Sequence, residues 1–183
     1  VDAGQTLTYT ATKGDGSALP TWLSFDSSSR TFSGIPTSGD AGTVTVKVTA
    51  TDNGTGSLNT FTTFDIGVVA GPTVRSIVRA GAASDTVQGS ATSVDFTVTF
   101  SESVTGVTAD DFTVTGTGGA SGSVSGVTGS GTTWTVTVNT LAGDGTLRLE
   151  LNGSGTGIQN GSSAAITGGY TSGQTYTLDH TAP

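Results

Sequence analysis

The chain contains no cysteine. Disulfides, thiolate metal sites and cysteine nucleophiles are therefore excluded. Secreted eukaryotic β-modules of this size often carry a disulfide, so the absence points to an exported bacterial protein or to a cytosolic one. No apolar run approaches the roughly 20 residues that a membrane-spanning helix needs. No signal peptide opens the sequence, so the chain reads as a fragment of an exported protein. Basic residues are scarce, 6 Lys and Arg against 14 Asp and Glu, for a formal charge of −8. That balance argues against nucleic acid, which needs a basic face, and against an anionic membrane surface. Histidine occurs once, at His180. It sits in a linker with no Ser or Cys partner nearby in sequence, a poor platform for an oriented catalytic base. No glycine-rich phosphate loop of the GxxxxGK or GxGxxG kind is present.

What the chain has is alternation. Only 33% of residues are hydrophobic, but they fall in short runs of period two. Leu7, Tyr9 and Ala11 alternate with threonines, and Val44, Val46 and Val48 alternate with Thr43, Thr45, Lys47 and Thr49. Val94, Phe96, Val98 and Phe100 follow the same rule, as do Trp134, Val136 and Val138, and Leu147, Leu149 and Leu151. Such runs put one row of side chains in a core and the other in water. Thr on the outer row keeps β-propensity high without exposing apolar area. The 29 glycines, with Asn, Asp and Ser, cluster between the runs as turns require. This regularity argues against the competing reading of a disordered Gly/Ser chain and predicts an all-β fold.

Val69-Ala70-Gly71-Pro72 is the expected boundary, since a proline is tolerated at the first position of a new strand. The first module covers residues 1–69 and the second 72–183. The first module yields five strand-like segments, Gln5–Thr12, Thr21–Asp26, Thr31–Gly34, Thr43–Thr51 and Phe61–Val68. A closed two-sheet sandwich takes about seven. A strand before residue 1 is expected to be missing. The cut can be arbitrary, the strand can belong to the parent protein, or a strand donated by another copy can fill the edge.

Particular residues carry two resemblances. Gly4-Gln-Thr-Leu-Thr-Tyr-Thr-Ala11, Leu19-Pro-Thr-Trp-Leu-Ser-Phe-Asp26, Thr31-Phe-Ser-Gly-Ile-Pro36 and Val46-Lys-Val-Thr-Ala-Thr-Asp52 resemble a bacterial cadherin-like module of the dystroglycan type. That family has an acidic run before Leu7-Thr-Tyr, of which only Asp2 is left. Val94-Asp-Phe-Thr-Val-Thr-Phe-Ser-Glu-Ser-Val104, Ala109-Asp-Asp-Phe112, Thr133-Trp-Thr-Val-Thr-Val138, Gly143-Asp-Gly-Thr-Leu-Arg-Leu149 and Gly173-Gln-Thr-Tyr-Thr-Leu-Asp179 resemble the bacterial immunoglobulin-like repeats of long surface adhesins. The resemblances imply two tandem Ig-like/cadherin-like β-sandwich modules, outside the cell, in contact with neighbouring modules of the same chain. They imply reach, adhesion or, in some cadherin-like cases, glycan binding, and no defined reaction.

Calcium is the ligand with a physical case, because acidic side chains and carbonyls supply the six to eight oxygens it takes. The candidates are Asp144, Asp179, Asp85, Asp2, Asp52 and Glu102. If Gln5–Thr12 is the second strand of its module, Asp2 and the Thr37–Gly42 loop lie at one end, with Asp15 and Asp52 at the other. In the second module Glu102 is expected to close the second strand, facing module one. Asp85, Asp144 and Asp179 are expected together at the far end. The competing reading of each is a solvated turn aspartate. Asp110 and Asp111, as strand neighbours, would point to opposite faces and could not pair as acid and base. Trp22 and Trp134 read as core residues rather than sugar-stacking platforms. The leading expectation is a non-enzymatic extender segment of a secreted bacterial surface adhesin or filament. Its rival is a carbohydrate-binding module of a surface protein or of a polysaccharide-degrading enzyme.

Overall fold

The computed structural model describes residues 6–81, 84–88 and 91–180. The chain divides into two compact units, Val1–Ala70 and Gly71–Pro183. Both are built from strands, with single-turn 3-10 segments at Ser38–Asp40 and Ala109–Asp111. The protein is all-β.

The first unit has five strands among the described residues: β1 (Leu7–Lys13), β2 (Leu23–Asp26), β3 (Thr31–Gly34), β4 (Gly42–Asp52) and β5 (Asn59–Val68). They form a three-stranded antiparallel sheet in the order β1-β4-β5 and a separate β2-β3 hairpin. Pairing fixes the inner row. Ala11 lies opposite Val48, and Val46 lies opposite Phe64. Across from this row the hairpin presents Phe25 and Phe32, with ring centroids 4.7 Å apart. Phe32 meets Phe64 edge-on at 5.6 Å. The hairpin turn is set by Asp26, whose Oδ1 accepts the amides of Ser28 and Ser29, and by Arg30 at φ 59.

Trp22 sits in the turn before β2, half-buried rather than in the core the alternation predicts. Its backbone passes so close to Gly34 that a Cβ there would lie 2.2 Å from the Trp22 carbonyl oxygen. Leu23 and Val46 are the only buried apolar residues of this unit among the described ones. Large apolar side chains remain exposed, including Phe61 (61%) and Phe64 (42%).

The second unit closes properly. Its strands are β6 (Val74–Arg79), β7 (Thr86–Gln88), β8 (Ser93–Thr105), β9 (Phe112–Gly116), β10 (Ser121–Ala142), β11 (Gly145–Leu151), β12 (Gln159–Asn160) and β13 (Thr175–Asp179). One sheet gathers β10, β8, β12 and β6 around β8, and the other runs β7-β13-β11-β9. Phe96, Val98 and Phe100 of β8, with Val136 and Val138 of β10, belong to the same core as Leu147, Leu149 and Leu151 of β11 and Tyr176 and Leu178 of β13. Tyr176 crosses this core to donate its hydroxyl to the Asp95 carbonyl at 2.9 Å.

β10 is too long to run straight. Its 22 residues would extend about 70 Å at 3.3 Å per residue, well beyond a unit of this size. It doubles back instead: the Ser125 hydroxyl donates to the Thr137 carbonyl, and the Ser123 and Thr140 hydroxyls lie 2.7 Å apart. Gly129 (φ 136) and Gly131 (φ 64) make the bend. Trp134 is half-buried against the core, its indole N–H donated to the Gly131 carbonyl.

Candidate functional site

The acidic candidates scatter more than the sequence expectation had it. Asp52 ends β4 directly opposite Leu7, the first residue of β1, whereas Lys13, the last, pairs with Val46. Asp15 follows Lys13, and the Gly14 amide bonds the Thr45 carbonyl near the start of β4. Asp15 and Asp52 therefore sit at opposite ends of β1, about 20 Å apart at 3.3 Å per residue. The Thr37–Gly42 loop shares the Asp15 end. The expectation failed because antiparallel pairing of β1 with β4 sends the start of one to the end of the other. Asp2 lies outside the described residues.

The unit-one carboxylates are occupied with local turns. Asp52 Oδ1 accepts the amides of Gly54 and Leu58, both at 3.1 Å. The Ser17 hydroxyl and then its amide hold the Asp15 carboxyl below the usual carboxylate range. Backbone donation from Ser28 does the same for Asp26, and the Thr37 hydroxyl for Asp40.

In the second unit Glu102 does not close its strand, because β8 continues to Thr105. The strand runs on since Val104 and Thr105 pair with β12. The Glu102 carboxylate accepts the Asn160 side-chain amide at 3.3 Å. Ser101, beside it, donates its amide to the Thr73 carbonyl near the start of the unit, and its hydroxyl oxygen accepts the Thr73 amide.

Asp144 and Asp179 do come together. Gly145 opens β11 opposite Leu178 of β13, so the residues just outside that pair share one edge. The Asp144 Oδ1 accepts the His180 amide at 2.6 Å, and His180 Nδ1 lies 3.1 Å from the Gly143 carbonyl. Gly143 (φ 72) and Gly145 (φ 134) hold this corner: a Cβ on the first would stand 2.1 Å from the Gly119 carbonyl oxygen, and on the second 1.9 Å from that of Thr117. The Gly-Asp-Gly spacing thus fixes Asp144 against the Thr117–Ala120 turn.

Asp85 is not at this edge. β7 runs parallel to β13 with Gln88 beside Asp179, and the Asp85 carbonyl accepts the Thr177 amide at 2.6 Å. Three residues of strand, about 10 Å, separate Asp85 from the level of Asp179. A parallel neighbour starts where an antiparallel one would end, which the sequence did not reveal. Among the described residues no three His, Cys, Asp or Glu side chains converge to hold a metal ion. The pair Asp144 and Asp179 falls short of the six to eight oxygens calcium takes.

Asp110 and Asp111 lie on a 3-10 turn rather than a strand. Asp111 is buried and accepts the Thr108 amide at 2.7 Å. Burial pushes its carboxyl up, against that bond. Phe112 enters the core. A shallow concavity of the second unit, about 840 Å³, is lined by Thr92, Ser93, Ser125, Thr137, Leu141 and His180.

The family described as "Putative Ig domain" matches residues 1–69. No curated protein matches the chain. Among solved structures the zebrafish RET cadherin-like domains 1 to 4 align with 96% of this chain at 8% identity and a TM-score of 0.33. The chain spans 40% of that structure's length. No helix among the described residues is long and apolar enough to cross a membrane. Residues 1–69 are thus similar to an Ig-like module, and a second β-sandwich follows in the same chain.

Proposed function

We propose that the chain is a structural, non-enzymatic extender segment of a secreted bacterial surface adhesin or extracellular filament. The observation that carries this reading is the tandem arrangement of two compact β units, each with its own sheets. The second unit turns threonine hydroxyls outward over a tightly packed core, which suits a load-bearing spacer. Asp144 is engaged by backbone rather than aimed at a substrate. Calcium enters at one place, the edge shared by Asp144 and Asp179, as a ligand pair that a neighbouring module's oxygens would have to complete.

Stretching a concatenated chain under force tests the role. Two separate unfolding events per copy are expected, with no hydrolysis across glycan and peptide panels. Saturable glycan binding, lost when the shallow concavity is altered at Thr137 and Ser125, would instead favour a carbohydrate-binding module. For calcium, joining a following module should make melting rise with millimolar Ca²⁺, and Asp179→Asn should abolish the rise. A binding excess of a hundredfold over Kd corresponds to about 2.7 kcal/mol. An unchanged melting curve in the joined protein removes calcium from the account.

A further inference from the structure

Among the described strands β5 is hydrogen-bonded only to β4. Its other edge is ten residues long and carries no Lys, Arg or Pro, the residues that usually guard such an edge. The opposite edge of the sheet, β1, ends in Lys13 and has Arg30 over Tyr9. The open edge is also where the unit's exposed aromatics lie, Phe61 and Phe64.

We propose that β5 pairs antiparallel with β5 of a second copy of this chain, about a two-fold axis through Phe64. The proposal goes beyond the extender role and does not depend on it. A two-fold normal to the sheet matches inner row with inner row, and this restricts the allowed registers. Centring on Asp65 would oppose two carboxylates. Centring on Thr63 would oppose Phe61 to Asp65.

Centring on Phe64 removes both conflicts. The two Phe64 rings then face each other on the inner row, with Thr62 opposite the second copy's Ile66. On the outer row Phe61 lies over the second copy's Gly67, above which a Cβ meets nothing within 4 Å. Thr63 lies opposite the second copy's Asp65, repeating a pairing the unit already uses, where the Thr45 hydroxyl donates to Asp65 at 2.6 Å. Lys47 pairs with Thr63 across β4 and β5. It therefore stands in the same cross-strand row as the second copy's Asp65. Each row runs Lys, Thr, Asp, Thr across the junction, and the symmetry makes two such rows. The result is one continuous six-stranded sheet with the edge of each copy satisfied.

Sedimentation equilibrium of the full chain tests this. A concentration-dependent dimer is expected. Asp65→Lys sets like charges in each row and should weaken the dimer about tenfold or more. Adding Lys47→Asp to that variant restores the alternation and should recover the dimer, which a merely misfolded variant would not do. The register is read by cross-linking, since the chain has no native cysteine. Oxidised Phe64→Cys should form a disulfide-linked dimer, because self-opposed residues across an antiparallel pair have Cα atoms about 4.5–5.5 Å apart. Thr63→Cys should not. A chain that stays monomeric to millimolar concentration overturns the proposal, and slow β5 amide exchange in such a monomer would assign the edge to another segment of the same chain. Failure of the charge swap to rescue, or equal cross-linking at Thr63 and Phe64, overturns it as well.

Discussion

Single residues decide two features of these units. Gly34 has an ordinary extended backbone, and its constraint is space: Trp22 closes over it, with carbonyl oxygen and ring edge both in reach of a Cβ. Gly34→Ala should therefore cost about 1–3 kcal/mol through forced backbone displacement, read as a lower urea midpoint for the first unit's transition. An unchanged midpoint would mean that the Trp22 turn yields freely. Asp111 poses the opposite problem, a carboxyl whose charge the fold disfavours. Its folded pKa is raised, so its contribution to stability is fully present below the unfolded value of 3.8 and is lost as pH rises through the folded one. Asp111→Asn retains an oxygen for the Thr108 amide and drops the charge. Its stability should match or exceed the parent's at neutral pH, within about 1 kcal/mol, and the advantage should vanish in acid. A loss of equal size at both pH values would show that the bond to Thr108, and not the charge, dominates.

At the scale of elements, alternation read from the sequence was enough for β1, β4, β8 and β11, because each presents one apolar row to a core. It was not enough for β7, whose three residues carry no period and whose parallel pairing with β13 is non-local. Nor did it reveal that β10 turns back on itself, since Gly122, Gly126, Gly129 and Gly131 leave gaps in the pattern. The same limit governs the acidic residues. Asp144 and Asp179 share an edge because their strands are antiparallel neighbours, while Asp52 and Asp85 depend on pairings that local sequence does not encode.

The turns of the first unit also set its response to acid. Asp15, Asp26 and Asp40 are each held below the usual range by Ser or Thr donors in their own turns. Lowered folded pKa values give stability that is present above the unfolded value of 3.8 and lost as pH falls through the folded ones. The first unit should thus loosen below about pH 4 while Asp111 shifts the second unit the other way. Circular dichroism melts over that range, compared with Asp26→Asn and Asp40→Asn variants, check it: the variants should show a smaller acid loss. An acid loss of the same size in the variants would place the sensitivity elsewhere.

For the molecule as a whole the contrast between the units matters most. One is a closed sandwich with aliphatic and aromatic layers from both sheets fully enclosed. The other is a three-stranded sheet and a hairpin around Leu23 and Val46, with apolar side chains left in water. Burial contributes roughly 25 cal/mol per Å² of apolar surface, so the two cannot be equally stable on their own. The sharpest test of this account is amide hydrogen exchange, resolved by residue, on the dilute full chain at neutral pH. The account predicts that β8, β11 and β13 exchange only through global opening of the second unit. It predicts that β1 and β4 exchange orders of magnitude faster, through separate opening of the first. Uniform protection across both units, lost in one cooperative step, would contradict it.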